Sequence, residues 1–154
     1  MKHYIDKSTR EIYAYESDGS QDAFIKEGLV PISDEDLAAM IAPTTEQLLS
    51  QLSAARKEQE RQGVTINDIR YAGDPGNRQT LQEAITYIED AGLAEFPSWK
   101  DSDGVFHQNN PLADVKDAAR AIGARRSQLI AAEGEYAAQI IAGTLTDLTE
   151  VVWP

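Results

Sequence analysis

VTINDIRY, residues 64–71, decides how the larger part of this chain folds. A two-residue turn at Asn67-Asp68 pairs Ile66 with Ile69, Thr65 with Arg70 and Val64 with Tyr71. Residues directly opposite in an antiparallel pair share a face. The pairing therefore gathers Val64, Ile66, Ile69 and Tyr71 on one side, with Thr65 and Arg70 on the other. Turn and hydrophobic pattern agree, so a hairpin is expected. Asp68 suits a left-handed backbone less well than glycine does, which leaves a looser turn open.

Helices are expected on both sides of this hairpin. Thr44 and Gln47 have the spacing of a capping box, ahead of a helix that reaches Gln62 and stops at Gly63. Its apolar line is Leu48, Leu52 and Ala55. Beyond Ala55 the run RKEQERQ is polar, and its face is expected to be solvated. After the hairpin, Asp74 can cap a third helix with Pro75 in its first turn. Leu81, Ala84, Ile85 and Ile88 form its apolar face, and Gly92 ends it.

A second hairpin follows at WKDSDGVFH, residues 99–107. A three-residue loop, Ser102-Asp103-Gly104, sets Trp99 opposite His107 and Lys100 opposite Phe106. A four-residue loop sets Trp99 opposite Phe106 instead. Turn chemistry favours the first register and aromatic pairing the second. The acidic tip is not an EF-hand. Counted from Asp101, the sixth residue is Phe106 and the twelfth Leu112, where that loop needs Gly and Glu.

The last helix is expected over 111–142, with Asn110 as its N-cap and Pro111 at its first position. Leu112, Val115, Ala119, Ile122, Leu129, Tyr136 and Ile140 fall on one alternating three-four line, the seam of a coiled coil. Arg126 and Glu133 interrupt that line. Two readings follow: an amphipathic core helix broken near Gly134, or a homo-oligomeric seam in which Arg126 meets Glu133 of another copy. The tail TLTDLTEVVWP reads as extended, with Trp153 in need of cover. The two hairpins can join into one small sheet with helices against it.

Residues 1–43 form a separate, β-rich module. HYID and EIYAYE read as strands around KSTR, GLVPIS as a short strand or connector, and Ser33 with Asp36 as the start of a short helix that stops before Pro43. The expected fold class is α+β: this small module, then a helix-hairpin-helix-hairpin-long helix domain over 44–154.

Composition narrows the function. The 14 Lys and Arg against 26 Asp and Glu leave a formal charge of −12. That excludes general nucleic-acid binding and docking on an anionic bilayer, both of which need clustered cations. With no cysteine there is no disulfide or thiolate chemistry. No signal peptide or membrane span is visible, so the host cytoplasm is the expected compartment. His3 and His107 lie in different modules without metal-ligand spacing. No GxSxG elbow occurs, and GDPGN lacks the Lys-Ser/Thr of a phosphate-binding loop. No catalytic residue, cofactor or metal ligand is assigned. The one basic cluster read from sequence is GARRSQ together with Arg120.

GVTINDIRYAGD, WKDSDGVFH and AAQIIAGTLTDL, in this order, resemble the C-terminal domain of bacteriophage tail-fibre assembly proteins. The opening MKHYIDKSTREIYAYESDGSQDAFIKEGL is similar to their short N-terminal module. The resemblance implies a chaperone, not an enzyme, that binds the tail-fibre protein at its trimeric C-terminal region, assists folding or trimerisation, and stays at the fibre tip. A stoichiometric virion component, such as a small tail or fibre-tip adaptor, is the alternative. The resemblance transfers no catalytic residues. As partner-binding residues the sequence nominates Trp99, Phe106 and His107, then Ile66 and Tyr71, and Trp153, each with core packing as the competing reading.

Overall fold

A computed structural model covers residues 1–154, which divide into two units, Met1–Pro43 and Thr44–Pro154. The architecture is α+β, with a β-rich N-terminal part and a long C-terminal helix.

In the smaller unit, β1 (Lys2–Ile5) pairs antiparallel with β2 (Ile12–Tyr15) and with β3 (Val30–Ile32), in the order β2-β1-β3. Asp6 organises the turn between β1 and β2 by accepting from the Ser8 N–H (2.8 Å) and the Ser8 hydroxyl (2.6 Å). Arg10 completes the turn with a left-handed backbone, φ 63°. The helix α1 (Asp34–Ile41) starts at Ser33, whose hydroxyl accepts from the Asp36 N–H. Tyr4 and Tyr15 stack edge to face, with ring centroids 5.6 Å apart.

The larger unit begins at Thr44, where the capping box with Gln47 is fully formed, and runs into α2 (Thr45–Gln62). The hairpin of β4 (Val64–Ile66) and β5 (Ile69–Tyr71) has the register its sequence dictates. Asn67 (φ 48°) and Asp68 (φ 64°) are both left-handed, so the turn is tight rather than loose. Asp74 accepts from the Asn77 N–H and opens α3 (Pro75–Asp90). The strands β6 (Glu95–Lys100) and β7 (Phe106–Pro111) follow, and then α4 (Leu112–Ala142).

The second hairpin takes the three-residue register, Trp99 opposite His107 and Lys100 opposite Phe106. Its ladder skips one rung, at Pro97 and Asn109. Pro97 has no N–H to give, and Asn109 is left-handed at φ 55°. Strict alternation would put Phe96 and Trp99 on opposite faces. The irregularity instead lets both pack on the same core, with their rings 4.9 Å apart.

Two cores hold this unit. One joins Ile69 and Tyr71 of β5 to Leu81, Ile85 and Ile88 of α3, Phe96 of β6, and Val115, Ala118 and Ile122 of α4. The other joins Leu48 and Leu52 of α2 to Ile140 of α4 and Leu145 of the tail. Each fully buried Leu or Ile contributes about 1.5–3 kcal/mol.

Four sequence expectations are corrected. The hairpins remain two separate two-stranded sheets; they are joined through the tip, where Ser102 donates its N–H to Arg70 O (3.1 Å) and accepts from the Ala72 N–H (2.7 Å). Asn110 does not cap α4, because its side chain is buried and bonded to Tyr71, and Pro111 takes the cap position. The helix α4 runs unbroken through Gly134. Leu129 and Ile140, both buried, anchor it on either side of that residue, so the roughly 1 kcal/mol cost of a helical glycine is absorbed. Finally, the polar end of α2 is not wholly solvated, since Glu60 is buried and the Arg56 side chain nearly so.

Candidate functional site

The nominated residues fall into three environments. Tyr71 is core: it is 1% exposed, and the Asn110 side-chain amide donates to its hydroxyl at 3.0 Å. Burial raises the pKa of that hydroxyl above the ordinary tyrosine value, with the Asn110 hydrogen bond opposing the shift. A residue so enclosed is not offered to a partner in the folded unit, so Tyr71 is reassigned from contact to core.

Ile66 and Trp99 lie at the margin of the same core, each partly buried against it. The Trp99 ring sits 5.8 Å from that of Tyr71, and its indole N–H finds no acceptor within the chain. His107, opposite Trp99, is bonded through Nε2 to Asp101 Oδ2 at 2.8 Å. Asp101 also accepts from the backbone N–H groups of Asp103 (2.9 Å) and Val105 (2.8 Å). Held first by His107 and then by these backbone donors, its carboxyl titrates below the usual aspartate range. The first acid of the tip is thus a turn-organising acceptor. The other, Asp103, receives Arg70 Nε at 2.8 Å from the neighbouring hairpin.

Phe106 stands out from this region with 65% of its surface exposed, beside an exposed Val105. The Lys100 ammonium lies 5.6 Å from the Phe106 ring centroid. This is the only one of the six nominated side chains that is chiefly exposed. Trp153 lies elsewhere, partly buried on the α2/α4 core and 6.2 Å from the Tyr136 ring. Tyr136 binds the tail in place: its hydroxyl accepts from the Val152 N–H (3.1 Å) and lies 3.2 Å from the Val152 carbonyl. The cover that Trp153 needs is supplied by its own chain.

A charged cluster between α2, α3 and α4 was not visible as a unit in the sequence. Glu60, with its side chain 7% exposed, is met by three guanidinium groups: Arg56 one turn earlier on α2, Arg126 at 3.3 Å and Arg78 at 3.5 Å. Glu133 meets Arg56 Nε at 2.5 Å. The two charges that interrupt the α4 seam are therefore each paired with α2 of the same chain. The helical spacing of Arg56 and Glu60 was a readable signal; the approach of Arg78 and Arg126 depends on tertiary structure.

No group of three or more His, Asp or Glu side chains is arranged to hold a metal ion. No helix is long and apolar enough to cross a membrane. Neither the curated proteins nor the solved structures include a match to this chain. A family model does match, over residues 43–152, which begins one residue before the larger unit and stops two residues short of its end. By that match the chain belongs to the family described as a domain of unknown function, DUF4376.

Proposed function

We propose that this chain is a bacteriophage tail-fibre assembly chaperone, which binds the fibre protein near its trimeric C-terminal end and assists its folding. The observation that carries the reading is the state of the N-terminal unit. None of its 43 residues is buried. Phe24 is 74% exposed, and Met1, Met40 and Ile41 are also open to solvent. A unit this small, without cysteine, has little margin for stability on its own core. It gains that margin by covering its apolar side chains with a partner. The outer edges of β2 and β3 carry unpaired backbone groups. Because Pro31 removes a donor from β3, the β2 edge is the better acceptor of an added strand from a β-rich fibre end. The larger unit, with two cores, serves as the stable body that carries the clasp.

Co-expression with a phage tail-fibre protein tests the proposal. The expected result is a several-fold rise in soluble, trimeric fibre, lost on deletion of residues 1–43. Unchanged fibre yield and oligomeric state would reject a chaperone role. Mass spectrometry of purified particles separates the two modes of action: a fixed copy number per fibre identifies a retained adaptor, and absence identifies a transient chaperone.

A further inference from the structure

The charged cluster around Glu60 borders a cavity of about 540 Å³, a size common among small-molecule sites. Five cations line it: Arg56, Lys57, Arg61, Arg78 and Arg126. Four carboxylates oppose them, Glu58, Glu60 and Asp74 in the lining and Glu133 against Arg56, which leaves five minus four, or a local charge of +1, in a chain whose formal charge is −12. Glu58 pairs with Arg61 at 2.6 Å, and Asp74 is engaged in capping α3. Glu60 is divided among three guanidinium groups, of which Arg78 also donates to the Gly73 carbonyl oxygen at 2.7 Å. Lys57 has no ion pair or side-chain hydrogen bond within the chain and is exposed at the cavity edge. Arg126 has one contact, to a carboxylate it shares, and its side chain is 45% exposed. Lys57 and Arg126 therefore keep donors that this chain does not satisfy.

We propose that this cavity binds a phosphate-bearing ligand through Lys57, Arg78 and Arg126. These cations come from three different helices, α2, α3 and α4, so they approach a ligand from separate directions. A planar carboxylate is satisfied by one guanidinium fork. A tetrahedral dianion has an oxygen for each of several donors and the charge to match them, and arginine is well suited to it. The rest of the cavity volume accommodates the organic part of an ester. The acidic remainder of the surface argues against an extended polyanion and for a small one.

Inorganic phosphate is the probe, titrated into the full-length protein at fixed ionic strength with amide chemical shifts as the readout. Saturable shifts are expected in 55–61, 75–79 and 123–127, with an apparent Kd below about 5 mM. Sulfate should compete for the same site and acetate should not. Lys57→Gln removes an exposed side chain without bonds, leaves the fold intact, and should weaken binding about fivefold. Arg126→Gln should weaken it at least as much. A linear response without saturation, an equal response to acetate, or an unchanged Kd in Lys57→Gln would each overturn the proposal.

Discussion

Replacing Gly63 with alanine is expected to cost the Thr44–Pro154 unit more than about 4 kcal/mol, a large share of the roughly 5–15 kcal/mol by which folded domains are stable. Gly63 ends α2 with φ 69° and ψ −142°, a backbone region that side chains other than hydrogen scarcely enter. The second obstacle is steric. A methyl group there would lie 1.9 Å from the Tyr71 carbonyl oxygen and 2.7 Å from the Ala72 Cα. Both neighbours are backbone, so no rotamer change relieves the clash. Gly73 faces the same junction from the other side, and its methyl would lie 2.2 Å from the Glu60 carbonyl oxygen. The end of α2 and the strand leaving the hairpin touch main chain to main chain. Circular dichroism and urea titration of Gly63→Ala check this. A variant that retains near-native stability would mean that the two backbones do not touch at this junction.

The second large effect is expected from Glu60→Ala, at roughly 3 kcal/mol of destabilisation. The loss does not come from hydrophobic contact. Removing the carboxylate leaves Arg56, Arg78 and Arg126 converging on a space without its counter-charge. Arg78 and Arg126 are 28% and 45% exposed and keep part of their hydration. Most of the penalty therefore falls on Arg56, whose side chain is 12% exposed, although Glu133 still pairs with it. Arg126→Gln, by contrast, deletes one long contact from a half-exposed side chain and should cost under about 1 kcal/mol. Equilibrium unfolding in urea distinguishes the two. Equal small effects would show that the cluster is held by solvent rather than by Glu60.

Local chemistry explains what was legible beforehand. The capping residues Thr44 and Asp74, the β4–β5 register and the three-residue loop at Ser102-Asp103-Gly104 all depend on neighbours within a few positions. Asn110 shows where such reasoning fails. Before a proline and a helix it has the form of a cap, yet a buried tyrosine hydroxyl 39 positions away takes its side chain. Arg126 and Glu133 fail for a related reason. On the α4 seam they resemble complementary charges for a second copy, and only the packing of α2 reveals that each already has a partner. At Gly134 intrinsic propensity favours a break, and the anchoring of α4 by buried residues on either side outweighs it. Among the nominated contact residues, aromatic character identified Trp99, Tyr71 and Trp153 but could not rank their exposure, since the same ring suits a core or an interface.

The central claim is that one unit of this chain is complete in itself and the other is not. Native-state amide hydrogen exchange on the full-length protein measures this most directly. The account predicts that the β1 amides, Tyr4 and Ile5 among them, are protected at least roughly 100-fold less than those of α4 between Val115 and Ile122. It also predicts that protection of β1 rises when the fibre protein is added. Equal protection in the two units of the free protein would contradict it, because a coreless N-terminal unit could not then be what a partner completes.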